Sequence, residues 1–262
     1  MNPAFPNQTE WLLWTLQNGL PAIFAGLMFI FVARFDKFGW DVAPRGMGQL
    51  FGAGFLFRAA MYVQIFTATS RAHIRRLHAG NVVFAAVLPG TTPARRDRFH
   101  WKRLIAIAWT YLYIEEPVWM LTLWPRSEAA MTLTAGPGPG PLLQAGLFIE
   151  AAAMLAFGLY LFRINRSDSP RFFPFKPDFM SGRIWSGFPL AWAVWAPALA
   201  LSTWADARGG VLVNLVFLAG VPLVMLLWRG NFDLSRRPAQ LMLGLFAGLA
   251  ALIGAGVLLQ GG

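Results

Sequence analysis

The chain contains no cysteine. Disulfide frameworks, thiolate metal sites, cysteine nucleophiles and iron–sulfur ligation are therefore excluded together. Histidine is almost as scarce. His73, His78 and His100 are the only three, and all belong to one basic stretch. None sits in the middle of an apolar segment, which argues against haem held between transmembrane histidines. The separation of five between His73 and His78 also misses the four that would put two ligands on one helical face. Lysine is limited to Lys37, Lys102 and Lys176, each in or beside a loop, so a retinal Schiff base inside a span is disfavoured. No phosphate-cradling glycine loop, no GxSxG and no HExxH occurs. No cofactor and no metal site is implied.

Charge is the broadest shortage. Only 13% of the 262 residues are charged, against about a quarter in ordinary globular domains. Hydrophobic residues make up 56%, and mean hydropathy is +0.50. A chain this apolar cannot cover a water-facing surface with polar groups. Its apolar residues also come in blocks of about twenty, the length that crosses a bilayer core as helix. The expected fold class is all-α: a polytopic transmembrane helix bundle of about seven spans, forming a single integral membrane domain over residues 1–262.

The expected spans are residues 11–34, 46–70, 103–124, 141–163, 184–203, 211–228 and 239–259. Pro21 is expected to kink the first. The stretch before it, "MNPAFPNQTE", has no basic residue, so a cleaved signal peptide is not expected. "NVVFAAVLPG", residues 81–90, is apolar but too short to cross, and suits a re-entrant, interfacial or bundle-packed piece. "GPGPGP", residues 136–141, reads as an extended connector.

Basic residues set the expected orientation. Loops after the second, fourth and sixth spans, with the span-edge residues Arg103 and Arg163, hold eight, five and three Lys and Arg, against three (with Arg34), one and one after the first, third and fifth. Positive charge collects on the cytoplasmic side, which puts the N-terminus inside and the C-terminus outside. The net charge of +10 is explained by topology and anionic lipid heads without nucleic acid. The basic loop 71–102 and the Phe/Pro-rich loop 169–183 supply Arg75, Arg76, Arg95, Arg96, Arg171 and Lys176 as expected headgroup contacts. Twelve tryptophans are present; Trp11, Trp14, Trp101, Trp124, Trp185, Trp204 and Trp228 fall near expected span ends, as in an interfacial belt. Gly48 and Gly52, Gly54 and Arg58, and Gly244 and Gly248 repeat the four-residue spacing that lets helices approach closely, whether the partner is another span, a second copy or a different membrane subunit.

Four ionisable residues lie near mid-span: Arg58, Glu115, Glu116 and Glu150. A charge near the bilayer centre costs at least about 2.5 kcal/mol, so such groups face the bundle interior, find one another or line water. One guanidinium cannot neutralise three carboxylates at that depth, so at least one glutamate is expected to hold a proton. Tyr111, Asn18, Gln64 and Asn214 are the polar residues expected to line the same interior, with Gln17 beside them. The run "EEPVWM" places a carboxylate pair before a proline. The glutamate pair of membrane CAAX-type proteases is followed by an Arg and met by intramembrane histidines; neither feature is present, so that chemistry is not carried over.

Three functions fit these features. The first is a proton- or cation-coupled transporter or channel using the Glu/Arg cluster. The second is a non-catalytic subunit or assembly factor of a larger membrane complex. The third is a membrane enzyme acting on a lipid-like substrate, which mid-depth acids disfavour because lipid heads lie at the interface.

Overall fold

In the computed structural model, the described residues are 19–32, 40–42, 44–67, 80–87, 90–91, 99–104, 106–111, 113–115, 118, 135–163 and 172–261. All regular structure among them is helix. Six named helices carry the fold: α1 (Leu20–Leu27), α2 (Arg45–Thr67), α3 (Pro141–Arg163), α4 (Phe179–Ala200), α5 (Trp204–Leu227) and α6 (Arg237–Leu258). Residues 80–87, 106–111 and 113–115 are also helical.

Local chemistry explains where these helices begin. Pro141 and Pro238 stand in first turns, where a missing N–H leaves no intrahelical bond unmade. Gly19, just before α1, is already helical, and a further π-type turn runs over Met28–Val32; the stretch before Gly19, where the effect of Pro21 on the first expected span would be read, lies outside the described residues. Asp178 caps α4 by accepting from the Ser181 N–H at 2.9 Å, and Thr203 caps α5 by accepting from the Asp206 N–H at 3.4 Å. Such side-chain oxygens satisfy donors that a helix start leaves open. Between these caps, Leu201 and Ser202 turn the chain through carbonyls at the end of α4.

Among the described residues, three helices are long and apolar enough to cross a membrane: α3, α5 and α6. Each has 22 to 24 residues, a length of about 33–36 Å at 1.5 Å per residue, against a hydrocarbon core of about 30 Å. The expected count of seven is not confirmed by the described residues. α2 and α4 match these helices in length; α2 is more polar, while α4 holds a single charged residue but many Trp, Pro, Gly and Ser positions of low hydropathy. α2 carries Arg45, Gln49, Arg58 and Gln64, and α4 carries Ser181, Arg183 and Ser186. α4 answers to protein neighbours: 15 of its 22 residues are buried. Much of the first and third expected spans lies outside the described residues.

Two layers of contact surround α4. α3 packs along α4 and against α6, while α2 packs against α1 and α5, and α5 also meets α6. α3 and α6 run antiparallel. A Cβ on Gly256 would meet Leu143, and one on Gly146 would meet Leu252 and Ile253. Gly52 of α2 lies against Ile30 and the Gly26 carbonyl, so this close helix crossing needs the absent side chain. The glycines of α6 differ. Gly244 and Gly248 have nothing within 4 Å of a Cβ position, and with Ala247, Ala251 and Ala255 they face outward.

Aromatic rings fill the centre. Phe188 of α4 touches Phe55 and Phe57 of α2 (6.0 and 6.3 Å between centroids), Phe217 of α5 (6.1 Å) and Phe84 (4.5 Å). The 80–87 helix packs onto this core through Asn81, Phe84 and Ala85, all buried. Trp185 is a correction to the interfacial belt: it is fully buried and packs on Phe173, Phe217 and Phe246. With Trp192 and Trp195 it forms the inward stripe of α4, so its place near an expected span end did not make it a lipid-facing belt residue. Trp101 is exposed, and Trp204 and Trp228 are half-buried.

Candidate functional site: two buried polar centres

The first centre is built around Arg58, midway along α2 and 5% exposed. Its terminal nitrogens donate to the Tyr113 and Tyr62 hydroxyls, each at 3.1 Å. The guanidinium carbon lies 4.9 Å from the Phe84 ring centroid and 5.4 Å from that of Tyr113. Tyr62 is one helical turn beyond Arg58, so it shares the arginine's face. Tyr113 and Phe84 come from separate segments. A planar guanidinium spreads its charge over hydroxyl acceptors and ring faces, which an ammonium could not do as well. Glu115 is buried two residues beyond Tyr113.

The second centre joins α3 to α5. Glu150 and Asn214 are both fully buried. The Asn214 amide nitrogen donates to Glu150 Oε2 at 2.6 Å. Glu150 Oε1 and Asn214 Oδ1 have no hydrogen-bond partner among the described residues. The pair therefore contains more acceptors than donors. α4, which packs on both α3 and α5, holds the indole N–H groups of Trp185, Trp192 and Trp195, also buried and without an acceptor among the described residues. Buried polar groups of this kind normally cost free energy until something pairs with them.

The expected meeting of Arg58 with Glu150 does not occur. Arg58 bonds to tyrosines, and Glu150 bonds to Asn214. Equal depth along separate helices was the basis of that expectation; the helix order puts α2 beside α1 and α5, and α3 beside α4 and α6. Tyr111 is 59% exposed. It lies on the outward stripe of Ile107, Ile114 and Val118, whereas Ala106, Trp109 and Tyr113 face inward. Gln64 is half-buried against Gly209 of α5, and Lys176 is exposed. Asn18, Glu116, Arg75, Arg76, Arg95, Arg96 and Arg171 lie outside the described residues. The aromatic partners of Arg58 went unread in the sequence. Tyr62 had a usable signal, the spacing of four from a mid-span arginine; Phe84 had none.

The fold and these centres define a class: an all-helical protein with helices fit to cross a membrane and ionisable groups buried between them. No family model, curated protein or solved structure matches the chain.

Proposed function

We propose that this chain is a multi-pass membrane protein that moves protons or a small cation, with the Glu150–Asn214 pair holding the ion near mid-depth. One observation carries the reading: two membrane-length apolar helices each contribute one polar group near their middle, and the pair leaves two buried oxygens without donors. A carboxylate and an amide oxygen are hard ligands suited to a proton or a small cation. Polar groups at that depth are costly and tend to be retained for ion pathways. The Arg58 centre supports a different role. Its guanidinium already meets two hydroxyls and a ring face, which suits locking α2 to the 80–87 and 106–115 segments. Glu116, Asn18 and Gln64 remain proposed pathway residues, and the N-inside, C-outside orientation follows the positive-inside count.

The test is flux into liposomes loaded with a pH-sensitive dye, under imposed proton, sodium and potassium gradients. Wild type should move ions, Glu150→Gln should abolish flux while the protein stays folded, and Asn214→Ala should reduce it. Flux unaffected by Glu150→Gln overturns the assignment to this pair. The outward face of Gly244, Ala247, Gly248, Ala251 and Ala255 favours a second reading, a subunit that docks α6 onto a partner helix. An inert wild type that co-purifies stoichiometrically with another membrane chain would select it.

A further inference from the structure

Between α3 and α6 the surface opens into an apolar trough of about 390 Å³, within the range typical of ligand sites. Ala153, Phe157 and Tyr160 line it from α3, Leu241 and Leu245 from α6, and Phe172 from the segment before α4. Phe172 packs edge-on against Tyr160 at 5.6 Å. The trough occupies the C-terminal half of α3 and the N-terminal half of α6. Because these helices are antiparallel, one more turn of each reaches the same end of the bundle. That turn carries Arg163, three residues after Tyr160, and Arg237, four before Leu241. At spacings of three and four, each arginine shares the face of the trough residue beside it.

Both arginines are exposed, and among the described residues neither has an acidic partner. The neighbouring Arg236 differs, because it is paired with Asp233 at 2.8 Å. Lys176, on the segment that supplies Phe172, is exposed as well. An apolar channel thus ends at uncommitted positive charge, at the end that the basic-loop count assigns to the anionic cytoplasmic leaflet.

We propose that this trough holds one anionic phospholipid, with an acyl chain against Phe157, Leu241 and Leu245 and the phosphate between Arg163 and Arg237. Charge complementarity selects the occupant. A zwitterionic lipid would bring its own cation to the arginines, and a bare hydrocarbon would leave them unmatched. The inference does not depend on ion movement through the Glu150 pair.

The experiment is native mass spectrometry of the full chain, released from detergent doped equally with phosphatidylglycerol and phosphatidylcholine. The expected result is one retained phosphatidylglycerol per chain. Arg163→Gln with Arg237→Gln should lower its retention roughly ten-fold or more, as expected for two basic residues beside an anionic head. Raised salt should act in the same direction. Ala153→Phe, which fills the trough and leaves both arginines, should reduce retention of either lipid. Equal retention of the two lipids, or retention indifferent to the double arginine variant, overturns the proposal. So does a lipid-free mass of two chains, which would show a second copy covering this face.

Discussion

Arg58 and Glu150 are both ionisable side chains buried near the middle of helices of similar length, yet their surroundings differ in kind. Among the contacts of Arg58 are two tyrosine hydroxyls and the face of Phe84. Around Glu150 is one amide N–H. A guanidinium can be accommodated by ring faces, and aromatic residues are abundant in this chain, at 15%. An ionised carboxylate can only accept, and helices give it few donors because their N–H groups are already used. An aromatic core therefore seals a buried cation more readily than a buried anion.

The largest test of this contrast strikes the ring that touches both sides. Phe188→Ala would open a cavity between the α2 phenylalanines and Phe217, one turn beyond Asn214 on α5. A loss of about 3 kcal/mol is expected, near the lower end for buried aromatic truncations because lipid supplies less transfer driving force than water does. Equilibrium unfolding in mixed micelles measures it, and a change under about 1 kcal/mol would contradict a shared core.

Next comes Arg58→Ala, which strands the Tyr62 and Tyr113 hydroxyls and should cost about 2 kcal/mol. Arg58→Lys should recover only part of that, since an ammonium lacks the planar fork. Full recovery by lysine would show that charge alone matters there.

The Glu150 centre should respond with the opposite sign. Glu150→Gln supplies an N–H that can reach Asn214 Oδ1, so stability should stay level or rise by about 1 kcal/mol. Any ion flux should vanish in the same variant. A strongly destabilised Glu150→Gln would instead mean that the carboxylate is a structural strut.

The smallest effect contrasts a buried carboxylate with an exposed one. The Ser235 hydroxyl, at 2.5 Å, and Arg236 hold the Asp233 carboxyl below the usual carboxylate range. Its contribution is complete above that range and fades as pH falls through the lowered value. Asp233→Asn should remove this acid sensitivity from the turn before α6, read as amide exchange of Ser235 and Arg236 against pH. An unchanged exchange profile would show that the carboxylate does not order the turn.

Helix positions were largely legible in the sequence because apolar length and caps are local properties. The α3 bounds, 141–163, coincide with the apolar run and its starting proline. α4 and α5 begin at Phe179 and Trp204, ahead of the expected 184 and 211, because Asp178 and Thr203 cap them. Hydropathy had trimmed those polar first turns. Partners were less legible. Asn214 was among the expected interior residues, but its pairing with Glu150 depends on how α3 and α5 are brought together. Tyr111 was expected inside and faces out, because one turn of helix offers several faces and composition does not say which is covered.

By itself, the sequence determined the class of the molecule: long apolar helices, no cysteine chemistry, and a few ionisable groups buried at a cost that demands a reason. The tertiary structure alone decided which groups meet. Depth along a helix is a one-dimensional quantity, readable from residue number. Adjacency depends on helix order and rotation, and these sent Arg58 to the tyrosines and left Glu150 to a single asparagine.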